Sequence, residues 1–338
     1  MSSLSLREEY EKREIDFLSP WACLAVKSRG REREEQQCSL RTCFQRDRDR
    51  ILHSKSFRRL KHKTQVLLFP EGDHPRTRLT HTLEVSQIAR TIARALRVNE
   101  DLTEAIALGH DLGHTPFGHM GERSLDALAK KNGLGGFHHA VQSLRVVEVL
   151  ERDGEGLNLT WEVRQGIIQH SKGQVNIHKG FDLADPSSVE AWILRVSDSI
   201  AYLNHDLDDA LTAKIITREN IPPDILSLFG ERHSQRVNSL VMDLIAHSKE
   251  GQIRFSEPYL EQIESLRRFL YSSVYASDVI MKDGPKVDHV LSTLFEHCAD
   301  LGKSAQETID FISGMTDRYA LLFFRKIAIP ASWPFEIS

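Results

Sequence analysis

Apolar residues in this chain recur at intervals of three and four, a period that lets them share a buried face only if the chain is helical. Between Thr80 and Leu96 they fall at Leu83, Val85, Ile88, Ile92 and Leu96, with Thr80 placed to cap the helix and Glu84 in its first turn. The run VEAWILRVSDSIAYLNHDLDDALTA repeats the pattern at Val189, Ile193, Val196, Ile200 and Leu203. Beyond Pro222 and Pro223 it continues in RVNSLVMDLIAHS, YLEQIESLRRFLYSSVY, KVDHVLSTLFEHC and SAQETIDFISGM. A further helix is expected from Arg46 to Leu60, and others in LTEAIALGHDLGH (capped by Asn99 or Asp101), GERSLDALAKKNGLGG, HHAVQSLRVVEVLER and TWEVRQGIIQHSKG. Strand-like alternation is confined to QVLLF and GQIRF. The expected class is therefore all-α.

Composition narrows the setting. With 40% apolar residues in 338, the chain can bury a sizeable core, and a net charge of −4 gives it no global basic character for nucleic acid. Cys23, Cys38, Cys43 and Cys298 form no CxxC pair, as expected of reduced thiols. The N-terminal MSSLSLREEYEKRE lacks an apolar run of signal-peptide length, and nothing approaches the roughly 18–20 apolar residues of a membrane span, so a cytoplasmic protein is expected. A mixed-charge N-terminal arm is expected over residues 1–45, a core over 46–215 and a C-terminal helical region over 216–338, with a weak seam near Pro222.

The stretch LGHDLGHTPFGHMGE, from Leu108 to Glu122, sets three histidines, an aspartate and a glutamate among glycines and a proline that must end a helix. His110 and Asp111 are neighbours there, His81 sits near the start of the preceding helix, and Asp198 lies inside the long one. Together they offer two imidazoles and two carboxylates, a set that suits Mn, Fe, Ni, Zn or Mg and leaves room for water. Taken singly these residues have ordinary readings: His81 as a cap or core residue, Asp198 as the partner of Arg195. Only their combination is specific.

The combination of RLTHTLEV, GHDLGHTPFGHMGE and RVSDSIAYLNHDLDD resembles the HD superfamily of metal-dependent phosphohydrolases, and more narrowly the dGTPase-like deoxynucleoside triphosphate triphosphohydrolases of bacteria. FQRDRDRILHSKSFRRLKHKTQV, GGFHHAVQSLRVVE and GLNLTWEVRQGIIQHSKG extend the similarity over roughly residues 40–215. The resemblance implies an HD-domain helical core with additional N- and C-terminal helices. It implies hydrolysis of a dNTP to deoxynucleoside and inorganic triphosphate, by attack at the α-phosphorus. It assigns one divalent metal ion to His81, His110, Asp111 and Asp198, and the acid–base pair to His119 and Glu122, the carboxylate orienting the ring. His114, His139 and Arg78 match phosphate contacts; Gln65 matches a reader of the deoxyribose, Tyr202 a ring packed against the sugar, and Asp206 a partner of the 3′-OH. Homo-oligomers, tetramers or hexamers, and a dNTP activator at a second site are further implications; the apolar faces at Leu240, Met242, Leu244 and Ile245 could serve such contacts.

The chemistry asks for such groups independently, because a triphosphate needs cations and donors, and an imidazole tuned by a carboxylate can move a proton near neutral pH. The glycines are expected to release the chain from helix geometry and to let phosphate approach the backbone. One departure stands out: where the family pattern after the glycines reads F-x-H-N-A-Q-S, this chain has FHHAVQS, with Ala140 in place of asparagine and His138 where an acid is common. Three other readings compete. HDLGH approaches the HExxH peptidase motif, but Gly113 and Pro116 interrupt the helix that motif needs. An HD hydrolase acting on a nucleoside monophosphate or signalling nucleotide would keep the metal ligands without needing His119 and Glu122. A sensor of dNTPs or single-stranded nucleic acid could use the basic stretches SRGRERE and FRRLKHK.

Overall fold

The computed structural model describes residues 4–65, 76–171 and 188–330. Among them are sixteen α-helices: α1 (Leu6–Phe17), α2 (Cys43–Leu52), α3 (Lys55–Arg59), α4 (Arg78–Leu96), α5 (Glu100–Gly109), α6 (Gly118–Lys131), α7 (His139–Arg145), α8 (Trp161–Gln169), α9 (Val189–Thr212), α10 (Pro223–Phe229), α11 (His233–His247), α12 (Glu257–Leu270), α13 (Asp278–Met281), α14 (Gly284–Asp300), α15 (Ala305–Ser313) and α16 (Asp317–Ala328). Among the described residues β-structure is limited to isolated bridges, so the chain is all-α as expected. The expected strand GQIRF is absent: Ile253 and Phe255 are buried without a pairing partner, and only Lys249 and Gln252 form a bridge. The other, QVLLF, lies outside the described residues after Gln65. Among the described residues no helix is long and apolar enough to cross a membrane, and the four cysteines are free.

Local chemistry decides where the helices begin. Thr77, rather than Thr80, caps α4, with Thr80 as the answering residue of a capping box. Starting the helix at Arg78 places Arg78 and His81 on one inward side of its first turn, and both are buried. The buried stripe of α4 is Val85, Ile88, Ala89, Ile92 and Ala93; Leu83, expected on it, is off the stripe and 49% exposed. Asn99 caps α5 by accepting from Leu102 N at 3.1 Å. Ser54 interrupts the helix expected from Arg46 to Leu60, because its hydroxyl accepts from Phe57 N at 3.1 Å and starts α3. Two helices widen into π turns, α7 over Val146–Leu150 and α12 over Tyr271–Tyr275, so neither runs on as the apolar period predicts. Helix α16 has no counterpart among the sequence expectations.

Helix α9 is the centre of the packing. It carries sixteen buried residues and packs against α4, α5 and α8, and also against α11 and α12. Helix α6 packs against α14 and α15, which brings the C-terminal helices behind the stretch that interrupts α5. Two buried polar residues tie these parts together. Lys63 Nζ donates to the carbonyls of His114 and Ser313. Asp317 accepts from Thr64 N at 3.0 Å, from Thr64 Oγ1 at 2.6 Å and from Phe117 N at 3.1 Å. Within the basic stretches, Arg31 is held by the buried Asp47, and Lys63 is fully enclosed, so neither cation faces solvent.

Removing the Asp317 carboxylate strands three donors, two of them on the backbone, and at least one in a fully buried position. Asp317→Ala should therefore lower the unfolding free energy by roughly 2–4 kcal/mol. Urea denaturation measures it; a change below about 0.5 kcal/mol would show that α16 does not brace this region.

Candidate active site

Helix ends and one long helix supply the site. His81 lies in the first turn of α4, His110 and Asp111 follow directly on α5, and Asp198 sits in mid-α9. Asp198, Tyr202 and Asp206 are four residues apart, which puts them on one side of α9. His119 and Glu122 occupy the first turn of α6, His139 opens α7, and His170 follows α8.

Helix α5 ends at Gly109, so His110 and Asp111 lie in the turn beyond it and the continuous helix of a zinc peptidase is not formed. The glycines of this turn serve protein packing. A Cβ on Gly113 would lie 2.2 Å from Ser143 N, and one on Gly121 would lie 1.9 Å from Pro116 O. Backbone therefore fills the space that the sequence reading left for phosphate.

A pocket of about 270 Å³ opens on these residues, lined among others by Gln65, Arg78, His114, His119, His139 and Tyr202. His81, His110 and Asp198 turn ligating atoms to within 4.8 Å of one another, with His81 Nε2 3.1 Å from Asp198 Oδ1. Asp111, expected as the fourth member of this group, stands beside it: its Oδ2 is 3.7 Å from His110 Nε2 and is held by Arg78 Nη1 at 2.7 Å.

The ring nitrogens reveal what these histidines are set up to hold. His110 Nδ1 lies 2.7 Å from the Ala107 carbonyl, an acceptor, so it carries the proton and Nε2 carries the lone pair. That Nε2 is buried and without a hydrogen-bond partner. Behind His81, Glu84 Oε2 pairs with His205 Nε2 at 2.9 Å, and His205 Nδ1 stands 3.4 Å from His81 Nδ1. His81 Nε2 in turn meets the Asp198 carboxylate. The His110 lone pair, the His81 nitrogen and the Asp198 carboxylate converge in one enclosed place and fit a cation, and the Ala107 carbonyl behind His110 is the usual support of a metal ligand. The residues present therefore fit a divalent metal ion. Burial works against both charges, yet the hydrogen bond and charge of the partner prevail: Asp198 is held below the ordinary carboxylate range and His81 is raised above the ordinary imidazole value.

Glu122 is shared differently from the expectation. Its Oε1 accepts from His139 N at 2.9 Å and meets His139 Nδ1 at 2.7 Å, whereas its Oε2 stands 3.5 Å from His119 Nδ1. The carboxylate thus chiefly fixes His139, and His119, 66% exposed, keeps freedom at the pocket wall. Burial lowers the His139 imidazole, but the Glu122 hydrogen bond and charge raise it on balance. His114 is buried, its Nε2 without a partner, and burial followed by the Arg78 charge pushes it well below the usual imidazole value. Gln65 is buried with Oε1 unpartnered, and desolvation pushes the half-buried Tyr202 on the pocket wall up to about 12.

Asp206 is buried, and Tyr275 donates its hydroxyl to Asp206 Oδ2, so Tyr275 and not Asp206 lines the pocket. Of the paired histidines, His138 caps α7 by accepting from Ala140 N at 3.3 Å, and His139 faces the site. Ala140 is buried with 2% exposure. Sequence reasoning missed His170, Arg267 and Tyr275, all of which line the pocket. His170 stood within the quoted run GLNLTWEVRQGIIQHSKG; Arg267 and Tyr275 carry no local signal, since only the packing of α12 on α9 brings them in.

Residues 78–203 match the family model described as HD domain. A "Deoxyguanosinetriphosphate triphosphohydrolase-like protein" of Caldanaerobacter subterraneus subsp. tengcongensis is 50% identical over 345 residues, covering 98% of both chains. Proteins with the same description from Desulfatibacillum aliphaticivorans (49% identical, 97% of this chain and 99% of that one) and Clostridium tetani (40% identical, 98% of both) are also similar.

If Glu84 orders the His81 ring through His205, Glu84→Ala should weaken divalent-metal binding by about 10- to 100-fold while the helix content stays as it is. Competition with a chelating dye gives the affinity; an unchanged value would detach this relay from the centre.

Proposed function

This chain belongs to the HD-domain family of deoxyguanosinetriphosphate triphosphohydrolase-like proteins, and on that premise we propose that it hydrolyses deoxynucleoside triphosphates to deoxynucleoside and inorganic triphosphate. At the coarser level it is an HD-domain hydrolase acting on nucleotides. The observation that supports the finer reading is the convergence of His81, His110 and Asp198 on one wall of a pocket that also presents Arg78, His114, His119 and His139.

A divalent metal ion would be held by His81, His110 and Asp198, with Asp111 beside them, and would supply positive charge to the phosphate under attack. A water oxygen bonds to the α-phosphorus, the bond from that phosphorus to O5′ breaks, and the leaving oxygen takes a proton. His119, exposed at the pocket wall and within reach of Glu122, is the group that delivers it. Arg78 is anchored by Asp111 with its guanidinium in the pocket, so its charge meets the phosphates without a rotameric search. Gln65 and Tyr202 stand on the wall where the sugar would lie, and Asp206 holds the Tyr275 hydroxyl in place beside them. Assembly of several copies and activation by a second dNTP belong to the same reading. Tyr319 and Leu322 on α16 and Met242 on α11 leave apolar surface for such contacts.

His119→Ala should retain the metal and lose about 10²- to 10⁴-fold in turnover, measured as inorganic triphosphate released from each dNTP singly and in pairs. Release of phosphate or a monophosphate instead would assign the site to another nucleotide; tight binding without turnover would make the protein a sensor. Tyr202→Ala should admit GTP more readily at unchanged metal content. Continued rejection of GTP would take the sugar-gating role away from Tyr202.

A further inference from the structure

His119 is 66% exposed at the pocket wall, and its Nδ1 lies 3.5 Å from a Glu122 carboxylate that is chiefly committed to His139. The side chain does little to fix its own place, so the backbone that carries it has to do so. That backbone is unusual. Phe117 and Gly118, the two residues before His119, both have positive φ, 64° and 56°. Glycine takes this conformation freely, but a phenylalanine persists in it only where its surroundings over-determine it. Helix α6 begins at Gly118, so this left-handed pair decides the direction in which the helix and His119 leave the turn.

The restraint comes from the far end of the chain. Asp317 is buried, with Oδ1 on the Phe117 amide at 3.1 Å and Oδ2 on Thr64 N at 3.0 Å and Thr64 Oγ1 at 2.6 Å. An acid in the first turn of a helix ordinarily serves that helix's own amides. In α16 Thr316 does so, accepting from Tyr319 N at 3.2 Å, which leaves the Asp317 carboxylate to reach across to α6. Thr64 is fixed in its turn: it forms a bridge with Thr77, and the neighbouring Lys63 carbonyl accepts from Arg78 N at 3.0 Å. One carboxylate thus links the start of α6, which carries His119, to the start of α4, which carries Arg78.

We propose that Asp317 is a positioning residue for the hydrolytic step: it locks Phe117 in the left-handed conformation and so sets where the His119 imidazole stands relative to Arg78 and the phosphates. The brace rests on these hydrogen bonds and backbone angles; its bearing on rate rests on the hydrolytic reading above. All three partners of the carboxylate are donors. A carboxamide of the same shape can accept from some of them but turns an N–H toward another. Asp317→Asn therefore loosens the turn without opening a cavity.

Amide hydrogen exchange on the full chain reads the brace without an activity assay. In the natural sequence residues 114–119 should exchange as slowly as α5. In Asp317→Asn they should speed up by about tenfold or more while α4 and α9 stay as they are. Fast exchange of this turn in the natural sequence, where no variant has to fold, overturns the proposal, and so does an unchanged turn in the variant. Triphosphate release from dNTPs with Mn²⁺ then tests the effect on rate. Asp317→Asn should lower kcat about 10- to 100-fold at unchanged Mn²⁺ affinity. It should cost nothing further when His119 is already alanine, because it acts through that ring. An equal loss in both backgrounds would make Asp317 a general structural support and overturn the positioning role. A loosened turn in a chain that releases no triphosphate keeps the brace and sinks the hydrolytic reading; release that Asp317→Asn leaves intact does the reverse.

Discussion

Holding the half-buried Asp198 against His81 and beside His110 carries a desolvation cost that a compensating charge offsets. Much of the architecture around the pocket serves that requirement. The Ala107 carbonyl sets the tautomer of His110, and the Glu84–His205 ion pair backs His81, so that ring nitrogens and carboxylate oxygens point inward together. Arg78 does the same for Asp111, whose carboxyl it holds well below the usual range against the opposing effect of burial. The supports come from backbone carbonyls and side chains on α4, α5 and α9, so the orientation of the ligands is a property of the helix packing.

Helix geometry supplies most of the positions. The first turns of α4, α6 and α7 and the residues just past α5 and α8 all face one place, and α9 presents Asp198 and Tyr202 one turn apart. The segment between α5 and α6 has little regular structure of its own, and it is held from outside. Lys63 takes its carbonyl at His114, Asp317 takes its amide at Phe117, and α7 presses on Gly113 at Gln142 and Ser143. His114 and His119 are thereby positioned by residues from both ends of the chain. This explains why C-terminal helices that contribute few pocket side chains still bear on the site.

Much was legible in the sequence because it was local. The period of the apolar residues marked α4, α9 and α14, and Asn99 identified itself as a cap. The crowding of His110, Asp111, His114, His119 and Glu122 around helix breakers located the pocket. Thr80 was a near miss, since Thr77 and Thr80 are both members of one capping box and the pattern does not say which residue leads. Glu122 keeps the expected His119 as a neighbour but gains a nearer partner. Spacing along α6 favours His119, but His139, seventeen residues on, comes closer once α7 docks.

By itself the sequence determined an all-helical chain, the interruption after α5, and the residue types of the pocket, because periodicity, caps and breakers act over a few neighbouring positions. The tertiary structure alone decided which lone pair faces which. It turned Asp111 toward Arg78, set His139 against His170, brought Tyr275 in front of Asp206, and made Asp317 a brace for Thr64 and Phe117. Those choices depend on how helices distant in sequence dock, and a ring's tautomer follows from the acceptor that docking places behind it.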